Sequence, residues 1–153
     1  MPFTNTYANN ILNWTFGKGS LSSNSKVYIG LCSNDPEADG GTINELSGGG
    51  YERVLISQFN SEYPGLMNSA TLRSILNGRQ INWTKATTNW ALVNGFFLST
   101  SPTVGEKTNI FFYGGLELTE EQKEAGGLEV VTGAVALFDP NSLKISFPET
   151  DEA

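Results

Sequence analysis

The chain has 153 residues, a formal charge of −7, no histidine and a single cysteine. Its nine lysines and arginines form no stripe or tail, so nucleic acid finds no electrostatic footprint and anionic lipid would be repelled. Without imidazole there is no Ser-His-Asp or Cys-His nucleophile and no usual zinc site, and one cysteine forbids an intrachain disulfide.

Thr4 or Asn5 can cap a helix running through Phe16, with Tyr7, Ile11, Leu12 and Trp14 near helical spacing and Gly17 placed to stop it. A polar linker, Gly19 to Ser25, leads into an apolar strand, Val27 to Cys32, where Cys32 serves as a small buried hydrophobe. The acidic, glycine-rich segment Asp35 to Gly50 reads as a surface loop, and Tyr51 to Phe59 as a strand. Neither face of that second strand is wholly apolar, so contacts are expected on both sides. Asn60 to Asn68 is a loop. Ala70 to Leu76 is expected to be a strand that turns at Asn77-Gly78 into Gln80 to Thr84, because Asn-Gly suits a two-residue hairpin. Trp90 to Ser99 and Asn109 to Gly114 read as an antiparallel pair whose aromatic density marks the centre of the core. Thr119 to Gln122 fits a capping box, with Gly126-Gly127 ending a short helical turn. Leu128 to Phe138 and Leu143 to Phe147 supply the last strands, before the acidic PETDEA.

Seven to nine short strands predict an all-β fold. We expect an antiparallel β-sandwich or jelly-roll-like body with one short N-terminal helix and a helical-turn insertion near 119–126. The expected organisation is a helix over 1–18, a sandwich over 26–148 and an acidic tail over 149–153. No apolar run is long enough to span a bilayer and no secretory signal opens the chain, so cytoplasmic synthesis without membrane insertion is expected. The triplets Asn13-Trp14-Thr15 and Asn82-Trp83-Thr84 are then chance matches to a glycosylation acceptor.

Asp35, Glu37 and Asp39 superficially resemble the start of a calcium loop. Counted from Asp35, the twelfth position is Leu46, where a bidentate carboxylate is required, so a solvated turn is the simpler reading. Gly48-Gly49-Gly50 lacks the Lys-Ser or Lys-Thr of a phosphate loop and precedes a strand. Trp83, Trp90, Tyr113, Phe96-Phe97 and Phe111-Phe112 could form a sugar-stacking platform, although aromatic residues in strands more often form core. A pair of carboxylates, as in glycoside hydrolysis, is the one enzymatic route left open. No catalytic, cofactor or metal-binding residue is assigned. Tyr7, Ile11, Trp14 and Phe16 are the candidate protein interface, the alternative being that the helix docks on its own sandwich.

Three stretches carry a resemblance: Tyr7 to Leu12, then Tyr28-Ile29-Gly30-Leu31 followed by Asn34-Asp35-Pro36, and above all the unbroken Glu45 to Arg53, ELSGGGYER. With Asn68-Ser69, Lys85 to Trp90, Asn109 to Leu116 and Leu143 to Phe147, they make the chain resemble small bacteriophage virion proteins usually labelled tail fibre proteins. The longer Ala70 to Gln80 segment and the Thr119 to Gly127 insertion depart from that pattern. The resemblance implies a non-enzymatic component of a tail fibre, a baseplate or an exterior head fibre or decoration. It implies a symmetric homo-oligomer located in the virion, with other virion proteins as partners. A glycan-binding module recognising the host surface is the alternative.

Overall fold

Three apolar runs, at 28–32, 95–99 and 110–115, pair into the central sheet of the computed structural model, which describes residues 3–19, 26–58 and 60–146. In chain order the elements are α1 (Asn5–Thr15), β1 (Tyr28–Cys32), β2 (Val54–Leu55), β3 (Ser74–Leu76), β4 (Ile81–Asn82) and β5 (Gly95–Ser99). They continue with β6 (Ile110–Gly115), α2 (Glu120–Ala125), β7 (Leu137–Phe138) and β8 (Lys144–Ser146). The central sheet has the order β2-β1-β5-β6, and two further pairs, β3-β8 and β4-β7, pack with it. All pairings are antiparallel, giving the expected all-β, sandwich-like architecture. The tail over 149–153, the strand end at Phe147, most of the Gly19 to Ser25 linker and the strand end at Phe59 lie outside the described residues.

Side chains alternate across a strand, so register decides which residues share a face. Ile29 opposes Leu98, which opposes Phe112, while Leu31 opposes Phe96. This face meets Tyr51, Ile81, Trp83, Trp90 and Leu143 in the main core. On the other face, Gly30 opposes Phe97, which opposes Tyr113, and Cys32 opposes Gly95. Here Cys32, Phe97 and Ile110 are buried under Ile43 of the acidic loop. The strand glycines make room for this second layer. A Cβ at Gly30 would lie 2.2 Å from the Phe97 ring, and one at Gly95 would lie 2.4 Å from Pro36. The acidic loop is therefore the lid of a minor core as well as a connection.

Both helices follow their local signals. Thr4 caps α1 by accepting from the Tyr7 N–H, and Gly17 follows its end with φ 68°. Thr119 and Gln122 form the capping box of α2, closed by left-handed Gly126.

The expected hairpin at Asn77-Gly78 does not form. β3 pairs with β8, and β4 with β7, so the two segments flanking Asn77 diverge to different partners. Asn77 is fully buried and acts as a junction: its Nδ2 donates to the Arg79 and Asp139 carbonyls, and its Oδ1 accepts from the Leu143 N–H. The hairpin lies upstream, inside the expected strand Ala70 to Leu76. Thr71 and Ser74 exchange both backbone hydrogen bonds across Leu72 and Arg73, whose φ angles are 48° and 63°. Leu-Arg carries none of the usual signal for that turn, so tertiary pairing with β8 prevails over local propensity.

Candidate functional site

An arginine within an apolar alternation must be paired if it is buried. Arg53 enters β2 on the face of β1 that carries Gly30, and its side chain is wholly removed from solvent. Glu45 reaches the same place from the far end of the acidic loop, where it bridges Cys32. The two meet as a fork: Nε and one terminal nitrogen of Arg53 each donate to a Glu45 oxygen at 2.8 Å. The other donors go to Ser99 Oγ at 3.2 Å and to the carbonyls of Ser101 and Glu106 at 2.9 and 2.7 Å. Every guanidinium N–H thus has an acceptor. The guanidinium also lies 4.9 Å from the centre of the Phe97 ring.

Glu45 is equally engaged. Its Oε1 accepts from the Tyr51 hydroxyl at 3.0 Å and its Oε2 from the Gly105 N–H at 2.6 Å. The Tyr51 oxygen in turn accepts from the Leu31 N–H at 2.9 Å. Burial and the neighbouring Glu45 carboxylate push the Tyr51 phenol well above its ordinary range. A carboxylate acting as acid, base or nucleophile needs an open approach. Glu45 is shielded, and its contacts fasten the loop over 100–109 to β1 and β2.

Gly48, Gly49 and Gly50 all have positive φ, between 63° and 81°, which explains the triple glycine. A Cβ on Gly49 would come within 2.8 Å of Thr88 and Trp90. The Trp90 indole N–H donates to the Gly49 carbonyl at 2.8 Å, and the Thr87 N–H donates to the same oxygen at 2.9 Å. Thr84 Oγ1 donates to the Gly50 carbonyl at 2.6 Å. ELSGGGYER and the Lys85 to Trp90 segment, read separately in the sequence, are therefore two sides of one joint.

The acids before Gly40 are occupied in turn geometry. Asp35 accepts from the Glu37 N–H, and Asp39 from the Asn34 side-chain amide. Among the described residues, no three His, Cys, Asp or Glu side chains come together in a way that could hold a metal ion. Of the sugar-platform residues, Trp83, Trp90, Phe96, Phe97 and Phe112 are buried in the core, and Tyr113 and Phe111 are half-buried.

The four residues of the candidate interface part company. Tyr7 is half-buried, its ring 5.0 Å from Phe111 and 5.3 Å from Phe3, and Ile11 is also half-buried. Trp14 is 53% exposed and Phe16 74%, with Leu12 beside them at 56%. The helix is tied down at its first turn, where the Thr4 N–H donates to the Phe111 carbonyl and Phe3 bridges Phe112. No α1 residue is fully buried.

A family model described as Podophage GP4 fiber I protein gp80 matches residues 2–137. The chain belongs to this phage fibre family. No curated protein matches it in sequence. For this fibre protein, the match spans α1, the Glu45–Arg53 joint and the strands through β6, and ends at the first residue of β7. No helix among the described residues is long and apolar enough to cross a membrane.

Two features were missed in the sequence. The Glu45–Arg53 pair had a signal, a cation at an inward position of an apolar strand. The partners that saturate it lie in a distant loop and had none.

Proposed function

We propose that this chain is a non-enzymatic structural component of a bacteriophage virion, assembled in repeated copies into a tail fibre, baseplate or exterior head fibre. The observation that carries this reading is the fibre-family match over residues 2–137. The β-body over 26–148 is the displayed part, and the helix over 1–18 is the element through which copies meet one another or a neighbouring virion protein. In support, the exposed apolar side chains of α1 cluster at its far end. An isolated eleven-residue helix is marginal in water, so a partner along α1 adds stability that the first-turn anchor alone does not. Repeated copies convert weak individual contacts with a host surface into avidity. The protein is made in the bacterial cytoplasm and carried in the virion. Quantitative mass spectrometry of gradient-purified particles tests the reading. Several copies per particle are expected, and absence from particles contradicts it.

A further inference from the structure

Asn-Gly occurs twice in the chain, at Asn77-Gly78 and Asn94-Gly95. This dipeptide is the one most prone to lose its side-chain amide, because glycine leaves its own backbone nitrogen unshielded toward the asparagine before it. In that reaction the glycine nitrogen bonds to the asparagine Cγ, the Cγ–Nδ2 bond breaks and ammonia leaves. Water then opens the five-membered succinimide to aspartate or isoaspartate, with no change of oxidation state.

The fold withholds what the reaction requires at Asn77. The attacking nitrogen of Gly78 donates to the Leu66 carbonyl at 2.9 Å. The amide that must swing toward it is held at both atoms. Nδ2 donates to the Arg79 and Asp139 carbonyls at 2.9 and 2.8 Å, and Oδ1 accepts from the Leu143 N–H at 2.9 Å. Asn77 is also fully buried, out of reach of the water that completes the step. Asn94 is restrained in the same manner, its Nδ2 donating to the Ser33 and Gly126 carbonyls at 2.8 and 2.7 Å. Neither glycine can be exchanged without moving a neighbour: a Cβ at Gly78 would overlap the Asn68 side chain, and one at Gly95 would overlap Pro36. Packing imposes the labile pairs, and hydrogen bonds hold them shut.

We infer that Asn77 is a latent deamidation site, closed by the junction between β3 and β8 and exposed when that junction opens, and that its reaction makes unfolding irreversible. The product cannot rebuild the junction. Aspartate at position 77 would set a carboxylate oxygen where Nδ2 now meets two carbonyls, acceptor against acceptor, and would place a charge in a fully buried site. Isoaspartate would in addition lengthen the main chain by one carbon between β3 and β4. The folded state is then preserved by its rate of opening, with chemical change of the opened chain as the step that is not reversed.

Peptide mapping by mass spectrometry, on the full chain kept folded and kept in urea at one mildly alkaline pH, tests the inference. Asn77 is expected to lose its amide at least about a hundredfold more slowly in the folded protein, since reaction is confined to the rarely opened population. Equal rates in the two states overturn the inference. After ageing in urea, dilution into buffer separates the chains that refold from those that do not. The refolded fraction is expected to retain Asn77, and the remainder to carry aspartate or isoaspartate there. A refolded fraction with as much deamidated residue 77 as the aged total shows that the reaction does not block refolding and overturns the irreversible step. Asn77→Asp puts one product into the chain without ageing and is expected to lose the wild-type melting transition. An Asn77→Asp variant that melts like wild type contradicts the inference too.

Discussion

Taking a guanidinium out of water costs several kcal/mol unless its donors are met, and Arg53 meets this condition with Glu45 and three oxygens from the region over 99–106. Glu45→Ala leaves that charge buried and uncompensated, so a loss of about 3–5 kcal/mol is expected in urea unfolding. The two tryptophans of the main core differ in a way that can also be measured. Trp90 donates to Gly49, while the Trp83 indole N–H has no acceptor among the described residues. Replacing each with Phe removes similar volume, but Trp90→Phe is expected to cost about 1–2 kcal/mol more because it loses a buried hydrogen bond to Gly49, whereas Trp83→Phe removes a donor with no acceptor among those residues. Burial, reinforced by Asp35, Glu45 and Asp39, raises the Cys32 thiol from its ordinary 9.0 to about 12. The folded form then keeps a proton that the unfolded chain releases. Stability is therefore complete below about pH 9 and falls above it by up to about 1.4 kcal/mol per pH unit. Denaturant titrations across that range check this, and Cys32→Ala is expected to flatten the slope between pH 9 and 10, whatever its packing cost. The sequence made Cys32's burial legible, since it sits in an apolar run. Arg53's partners are up to 53 residues away and were not legible.

At the level of elements, what was local could be read, while of the pairings only that of two neighbouring aromatic runs could. The Thr4 and Thr119 caps act within three residues, and both helices formed where their caps placed them. The pairing of β5 with β6 was legible because two aromatic runs flank a turn-rich loop. Asn77-Gly78 failed as a hairpin signal because Asn77 is more strongly satisfied as a buried junction between β3 and β8. The true two-residue turn holds Leu72 at φ 48° with its side chain 96% exposed, and Arg73 at φ 63°. A leucine in that conformation is strained by about 1–2 kcal/mol. The double change Leu72→Asn, Arg73→Gly is therefore expected to raise stability by about 1 kcal/mol. Thermal melting reads this directly, and a lowered Tm would show that the turn is unstrained.

For the whole molecule, the segment from Lys26 to Gln58 organises everything else: a strand, a loop that lids the second face of the sheet, and a return that locks the edge through Glu45 and Arg53. Its acidic and glycine residues, which invite metal or phosphate chemistry in the sequence, serve turns and close packing. What the body leaves exposed is the apolar end of α1 and the groove beside it. Neither was fully visible in advance. The aromatic residues of α1 could be seen, but the groove is assembled from residues as distant as Tyr7 and Ile145. The central claim is that this chain is built into the virion as a fibre component. Immunogold labelling of intact purified particles, with antibody raised against the folded protein, tests it most directly. Gold at a fixed appendage or exterior site on most particles is the expected result, and unlabelled particles from a lysate that contains the protein would contradict it.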